Sequence, residues 1–80
     1  MNMDKQQTRR RIGARIAELR REKRLTQYEL GDRTGLNQSH IARIEAGKYS
    51  AGCDTLQTIA QAMGYKLDFV KMKRNESVEW

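Results

Sequence analysis

Leu30, Gly31, Thr34, Gly35, Leu36, Ile41 and Ile44 constrain this chain more tightly than any other group of residues. Counted from Gln27 as position 1, they occupy positions 4, 5, 8, 9, 10, 15 and 18. Leu30, Thr34, Leu36, Ile41 and Ile44 then face inward from two short helices. Gly31 stands where those helices approach too closely for a large side chain. Gly35 stands in the tight turn, where a left-handed residue ends a helix without a Cβ penalty. Together the seven positions predict two helices held at a steep angle across a glycine turn. A generic helical bundle has no reason to match all seven.

The rest of the chain reads as helices around that unit. Ile12, Ile16 and Leu19 recur at i, i+4, i+7 and predict a first helix over about 5–23. Thr26 and Glu29 have capping-box spacing for the second helix. Asn37 caps the third, which ends at Gly47, and the loop "KYSAG" follows. A fourth helix starts near Gly52 to Asp54, carries Leu56, Ile59, Ala60 and Met63 inward, and stops at Gly64. In "YKLDFVKMK", Leu67 and Phe69 alternate with Lys66, Asp68 and Lys71, a strand period spoiled only by Val70. The reading is an all-α domain over 1–64, a strand over 65–73 and a polar tail over 74–80.

Several chemistries are excluded. The sequence has no apolar run near the ~20 residues that span a membrane. A lone Cys53 makes no intramolecular disulfide, and it is expected as a small buried hydrophobe. One histidine, His40, makes a metal site improbable. No nucleophile–base arrangement or phosphate-binding glycine loop points to an enzyme or a cofactor. A soluble cytoplasmic protein is the expectation. A chain of 80 residues also has a small core, which favours oligomerisation.

Charge points toward the partner. Residues 1–24 hold nine Lys/Arg against three acids, so this segment accounts for the whole net charge of +6. A basic stripe is the footprint of a polyanion binder. A solvated helix face is the bland alternative, and a membrane surface a weaker one, because the segment lacks an apolar anchoring face. Against this background Asn37, Gln38, Ser39 and His40 are uncharged. On a helical projection Ile41 and Ile44 define the buried side of the third helix. Ser39, Ala42, Arg43 and Ala46 lie opposite, with Gln38 and His40 on the flanks. The alanines allow close approach to a groove floor. Gln38 can pair with adenine, Ser39 with several bases, and Arg43 with guanine or a phosphate. Charge then supplies affinity, and the neutral patch supplies selection among bases. Arg9, Arg10 and Arg11 add phosphate contacts or an arm over the DNA backbone.

At "IGARIAELRREKRLTQYELGDRTG", "NQSHIARIEAGK" and "DTLQTIAQAMG" the sequence resembles the Cro/repressor-type (XRE-like) helix-turn-helix domains of phage and bacterial regulators. The resemblance implies a bundle of four or five helices with the third in the major groove of double-stranded DNA. It aligns Gln38 and Ser39 with base-contacting positions, with Arg43 one turn later. Gln27, Asn37, Lys48 and Tyr49 align with phosphate-contacting positions, and Arg20 and Glu45 with a salt bridge joining the first and third helices. Three departures stand out: Gly31 where alanine is usual, Ala51 and Gly52 where Pro and Ser are common, and Cys53 in place of an apolar residue. The strand, through Leu67, Phe69 and Val70, resembles the dimer lid of antitoxin-type members such as the antitoxin partner of the HipA kinase, which also ends on a tryptophan, like Trp80 here. The implied function is a homodimeric transcriptional regulator, most simply a repressor on a palindromic operator. The alternatives are an autoregulatory antitoxin with a protein toxin partner, and RNA binding through the arginine-rich start.

Overall fold

A helix leaves its first N–H groups without intrahelical partners, so side chains able to accept them decide where helices begin. In the computed structural model, which describes residues 4–73, four helices follow this rule in different ways. They are α1 (Lys5–Glu22), α2 (Gln27–Thr34), α3 (Gln38–Glu45) and α4 (Cys53–Ala62). Asp4 opens α1 with a capping box not anticipated from the sequence: the Gln7 N–H donates to its carboxylate at 2.7 Å, and its own N–H donates to Gln7 Oε1. Thr26 and Glu29 form the expected box on α2, at 3.0 and 2.8 Å. Asn37 Oδ1 accepts from the His40 N–H at 2.8 Å and starts α3. Gly52 precedes α4 without any side-chain cap, as the loss of a polar residue there predicts.

The α2 box has a pH signature. Hydrogen bonds from the Thr26 backbone and side chain hold the Glu29 carboxyl below its ordinary value. A lowered folded value means the stabilisation is complete above the usual glutamate range and is lost as pH falls through the lowered one. Glu29→Gln is therefore expected to lower stability at neutral pH, where the carboxylate contributes, and to converge on the wild type in acid, so that the acid limb of the stability–pH profile is flattened. An unchanged acid limb would show that the carboxylate does not support α2.

Gly35 ends α2 in the left-handed conformation at φ 77°, and the Leu36 N–H returns to the Gly31 carbonyl at 3.1 Å. That turn lays α3 across α2. α3 also packs on α1, and α4 packs on α2. The core between them is Ile16, Leu19, Leu30, Ile41, Ile44, Ile59 and Met63, with Ile12, Leu36, Ala51, Leu56 and Ala62 around it. Leu30, Ile41 and Ile59 are fully enclosed, so all three later helices contribute to one centre.

Two expectations are corrected. Residues 65–73 form neither a strand nor a fifth helix. A strand needs a neighbour for its N–H and C=O groups, and none of the four helices offers one. Instead the Leu67 N–H donates to Gln57 Oε1 and the Phe69 N–H to the Asp68 carboxylate. Leu67, Phe69 and Val70 are all exposed. Cys53 is exposed as well. It is the first residue of α4, roughly a third of a turn from the buried line through Ile59.

Candidate nucleic-acid interface

An ion pair between α1 and α3 holds α3 in place. Arg20 on α1 binds Glu45 on α3 in a fork: Nε donates to Oε2 at 2.7 Å and Nη2 to Oε1 at 3.0 Å. Its remaining Nη1 donates to the Leu25 carbonyl at 2.8 Å, tying in the turn that leads to α2. Both side chains are nearly enclosed, 10% and 6% exposed. The hydrogen bond to Glu45 holds the Arg20 guanidinium above its ordinary value, against the opposing pull of burial.

The fork continues toward the surface. Gln27 Nε2, at the start of α2, donates to Glu45 Oε1 at 3.0 Å, and Gln38 Nε2 donates to Gln27 Oε1 at 2.7 Å. Four side chains from three helices thus run in one chain from Arg20 to Gln38. One amide N–H of Gln38 is consumed. Its other N–H and its Oε1 remain, and these are the donor and acceptor that bidentate pairing with adenine requires. The Gln27 side chain is committed to this relay, which leaves its backbone N–H, at the α2 N-terminus, as its route to a phosphate.

Of the α3 residues projected opposite the buried side, Ser39, Arg43 and Ala46 are exposed and only Ala42 is partly covered. Ser39 donates to Asn37 Oδ1 at 2.8 Å, so its oxygen stays available as an acceptor. On the flank away from Gln38, the Arg43 guanidinium lies over the Tyr49 ring, 5.6 Å from its centroid. His40 meets the same ring edge to face, at 4.8 Å and 80°. Lys48 is exposed, and its N–H donates to the Arg43 carbonyl at 2.9 Å, folding the loop back along α3.

The three consecutive arginines are separated. Arg9 is held beside the α3–α4 loop: its Nη2 donates to Gln6 Oε1, while Gln6 Nε2 donates to the Gly47 carbonyl. Arg10 passes close over Gly47, its Cγ only 2.9 Å from where a Cβ on that glycine would stand. Arg11 lies on the outer face of α1, in a shallow groove with Ala14, Arg15, Glu18, Arg21 and Glu22. Arg9 and Arg10 therefore neighbour the loop that follows α3, and Arg11 does not. Sequence reasoning missed Gln6, the Gln27–Gln38 bond and the ring cluster around Tyr49. Each joins residues whose separation in the chain carries no periodic signal. Leu67, Phe69 and Val70, expected from the sequence at a dimer interface, lie beyond α4, and Trp80 lies outside the described residues.

Comparison with known proteins fits this arrangement. The helix-turn-helix family profile matches residues 16–70. An immunity repressor protein of Bacillus phage phi105 is 34% identical over 59 residues, which are 74% of this chain and 41% of that protein. The chain thus matches less than half the length of that repressor. An uncharacterized HTH-type transcriptional regulator, y4dJ, of Sinorhizobium fredii is 42% identical over 53 residues, 66% of this chain and 69% of the relative. The ImmF control region 10 kDa protein of the same phage is 33% identical over 69 residues, 86% and 77% of the two chains. With the profile covering most of the chain and the glycine turn standing between α2 and α3, the protein belongs to the XRE-type helix-turn-helix family of transcriptional regulators.

Proposed function

We propose that the protein is a sequence-specific repressor that lays α3 in the major groove of duplex DNA. The observation that carries this reading is Gln38. It is held by a part-buried relay, yet one of its N–H groups and its Oε1 make no hydrogen bond among the described residues. A readout side chain fixed before binding loses less freedom on contact than a mobile one. Ser39, Ala42 and Arg43 extend the reading surface. Asn37, Lys48, the Tyr49 hydroxyl, Arg9, Arg10 and the first N–H groups of α2 supply phosphate contacts, with Arg11 farther out. That one relative is named an immunity repressor and another an HTH-type transcriptional regulator supports regulation over a purely architectural role.

A dimer completes the proposal. Leu67, Phe69, Val70 and Met72 are exposed on one short segment, and association through it would cover apolar surface that a lone chain leaves in water. A two-fold dimer reads a palindrome with half-sites about one helical turn, ~34 Å, or a multiple apart.

The test is selection of bound sites from a random duplex pool at physiological salt. An enriched palindrome is expected. Gln38→Ala should then cost about 1–3 kcal/mol on the selected site and relax base choice at one position. Salt-sensitive binding without enrichment, or equal losses on selected and random DNA, would defeat the assignment.

A further inference from the structure

The geometry points to Tyr49 as a positioning residue that sets the base read by Arg43. This inference rests on the reading of α3 as the recognition helix and deepens it. Arg43 and His40 are three residues apart on α3 and so lie side by side on its surface. Tyr49 comes back to them from the loop, because the left-handed Gly47 and the bond from the Lys48 N–H to the Arg43 carbonyl fold the chain along the helix. Its ring takes the Arg43 guanidinium over one surface at 5.6 Å and meets the His40 ring at 80°. His40 Nε2 is enclosed and makes no hydrogen bond among the described residues, so the imidazole is kept in place by packing against this ring.

The consequence is a second fixed reader. An exposed arginine on a helix ordinarily samples many rotamers, and a mobile guanidinium contacts phosphates as readily as bases. A guanidinium drawn to an aromatic face samples fewer rotamers while its N–H donors stay available for bidentate bonding to guanine O6 and N7. Gln38 is thus held from the α2 side and Arg43 from the loop side, on opposite flanks of the same helix. The proposed recognition is a guanine at the base position facing Arg43, with its selectivity owed to the Tyr49 ring and not to the Tyr49 hydroxyl.

The experiment is site selection on duplex DNA with the full chain and with Arg43→Ala, Tyr49→Leu and Tyr49→Phe. A thermal melt of each variant accompanies the selection. Arg43→Ala identifies the position that depends on Arg43. Tyr49→Leu, which keeps bulk but removes the ring, is expected to lower guanine preference there by about two- to fivefold, the worth of an exposed cation–π contact. Preference at the Gln38 position should stay unchanged. Tyr49→Phe should retain the guanine preference, even if overall affinity drops through loss of a phosphate contact. Unchanged guanine preference in Tyr49→Leu overturns the proposal, as does an equal loss of preference at every position. If Arg43→Ala alters no position, Tyr49 has no reader to position and the inference fails, while the Gln38 reading stands. If the wild-type chain enriches no site, the reading of α3 fails and takes this inference with it.

Discussion

Glu45→Ala is expected to cost about 3–5 kcal/mol of folding stability, because it strands a nearly enclosed Arg20 without its partner. A domain of this size has only about 5–15 kcal/mol in total, so the variant should lose a large share of its stability. The loss comes mainly from the charge left behind and only secondarily from the lost bond. The double variant Arg20→Met/Glu45→Leu removes both charges, and it should therefore be markedly more stable than Glu45→Ala. Urea melts of the wild type, the single variant and the double variant measure this directly. A single-variant loss below about 1 kcal/mol, the range of surface pairs, would mean the fork is solvated and does not hold α3. Because Gln27 also donates to Glu45, the double variant should still bind DNA less selectively at the Gln38 position, even where its fold is recovered.

Gly13→Ala is the second large effect, and its sign opposes helix propensity. In an open helix the change would stabilise by about 0.8–1 kcal/mol. Here a Cβ on Gly13 would stand 2.3 Å from the Ile44 carbonyl oxygen and 2.6 Å from that of Glu45. Both obstacles are backbone atoms of α3, so no side chain can rotate out of the way. The expected result is a net loss at the upper end of ~1–3 kcal/mol, with α3 displaced from α1. Denaturant melts give the sign, and DNA selection reports whether the displaced helix still reads the same site. A gain in stability would show that α1 and α3 can separate cheaply.

Gly31 follows the same logic. From sequence it marks a close approach of two helices, at a position where alanine is usual. In the fold, a Cβ there would lie 2.5 Å from the Leu36 carbonyl oxygen, which has closed into that space. The small residue is what allows the turn to draw this close.

These cases separate what a chain reveals locally from what it reveals only when folded. The caps at Thr26 and Asn37, the glycine turn and the inward faces of the first three helices follow from local rules, since each depends on residues within one or two turns of one another. The Arg20–Glu45 pairing was legible only through family resemblance, because the two residues lie 25 positions apart. The segment 65–73 misled for a related reason. Alternation records which side chains are apolar, but strand formation needs a partner that a single chain's sequence does not supply. Cys53 misled because residue type suggests burial while position on α4 decides it.

By itself the sequence determined the helix-turn-helix unit, its limits and the residues that line its outer face. Only the tertiary structure decided that Gln27 grips Gln38, that Tyr49 gathers His40 and Arg43, and that Arg9 and Arg10 part from Arg11. Secondary structure arises from neighbours along the chain, whereas the pose of a long polar side chain is set by whichever groups the packed helices bring within hydrogen-bonding or stacking distance.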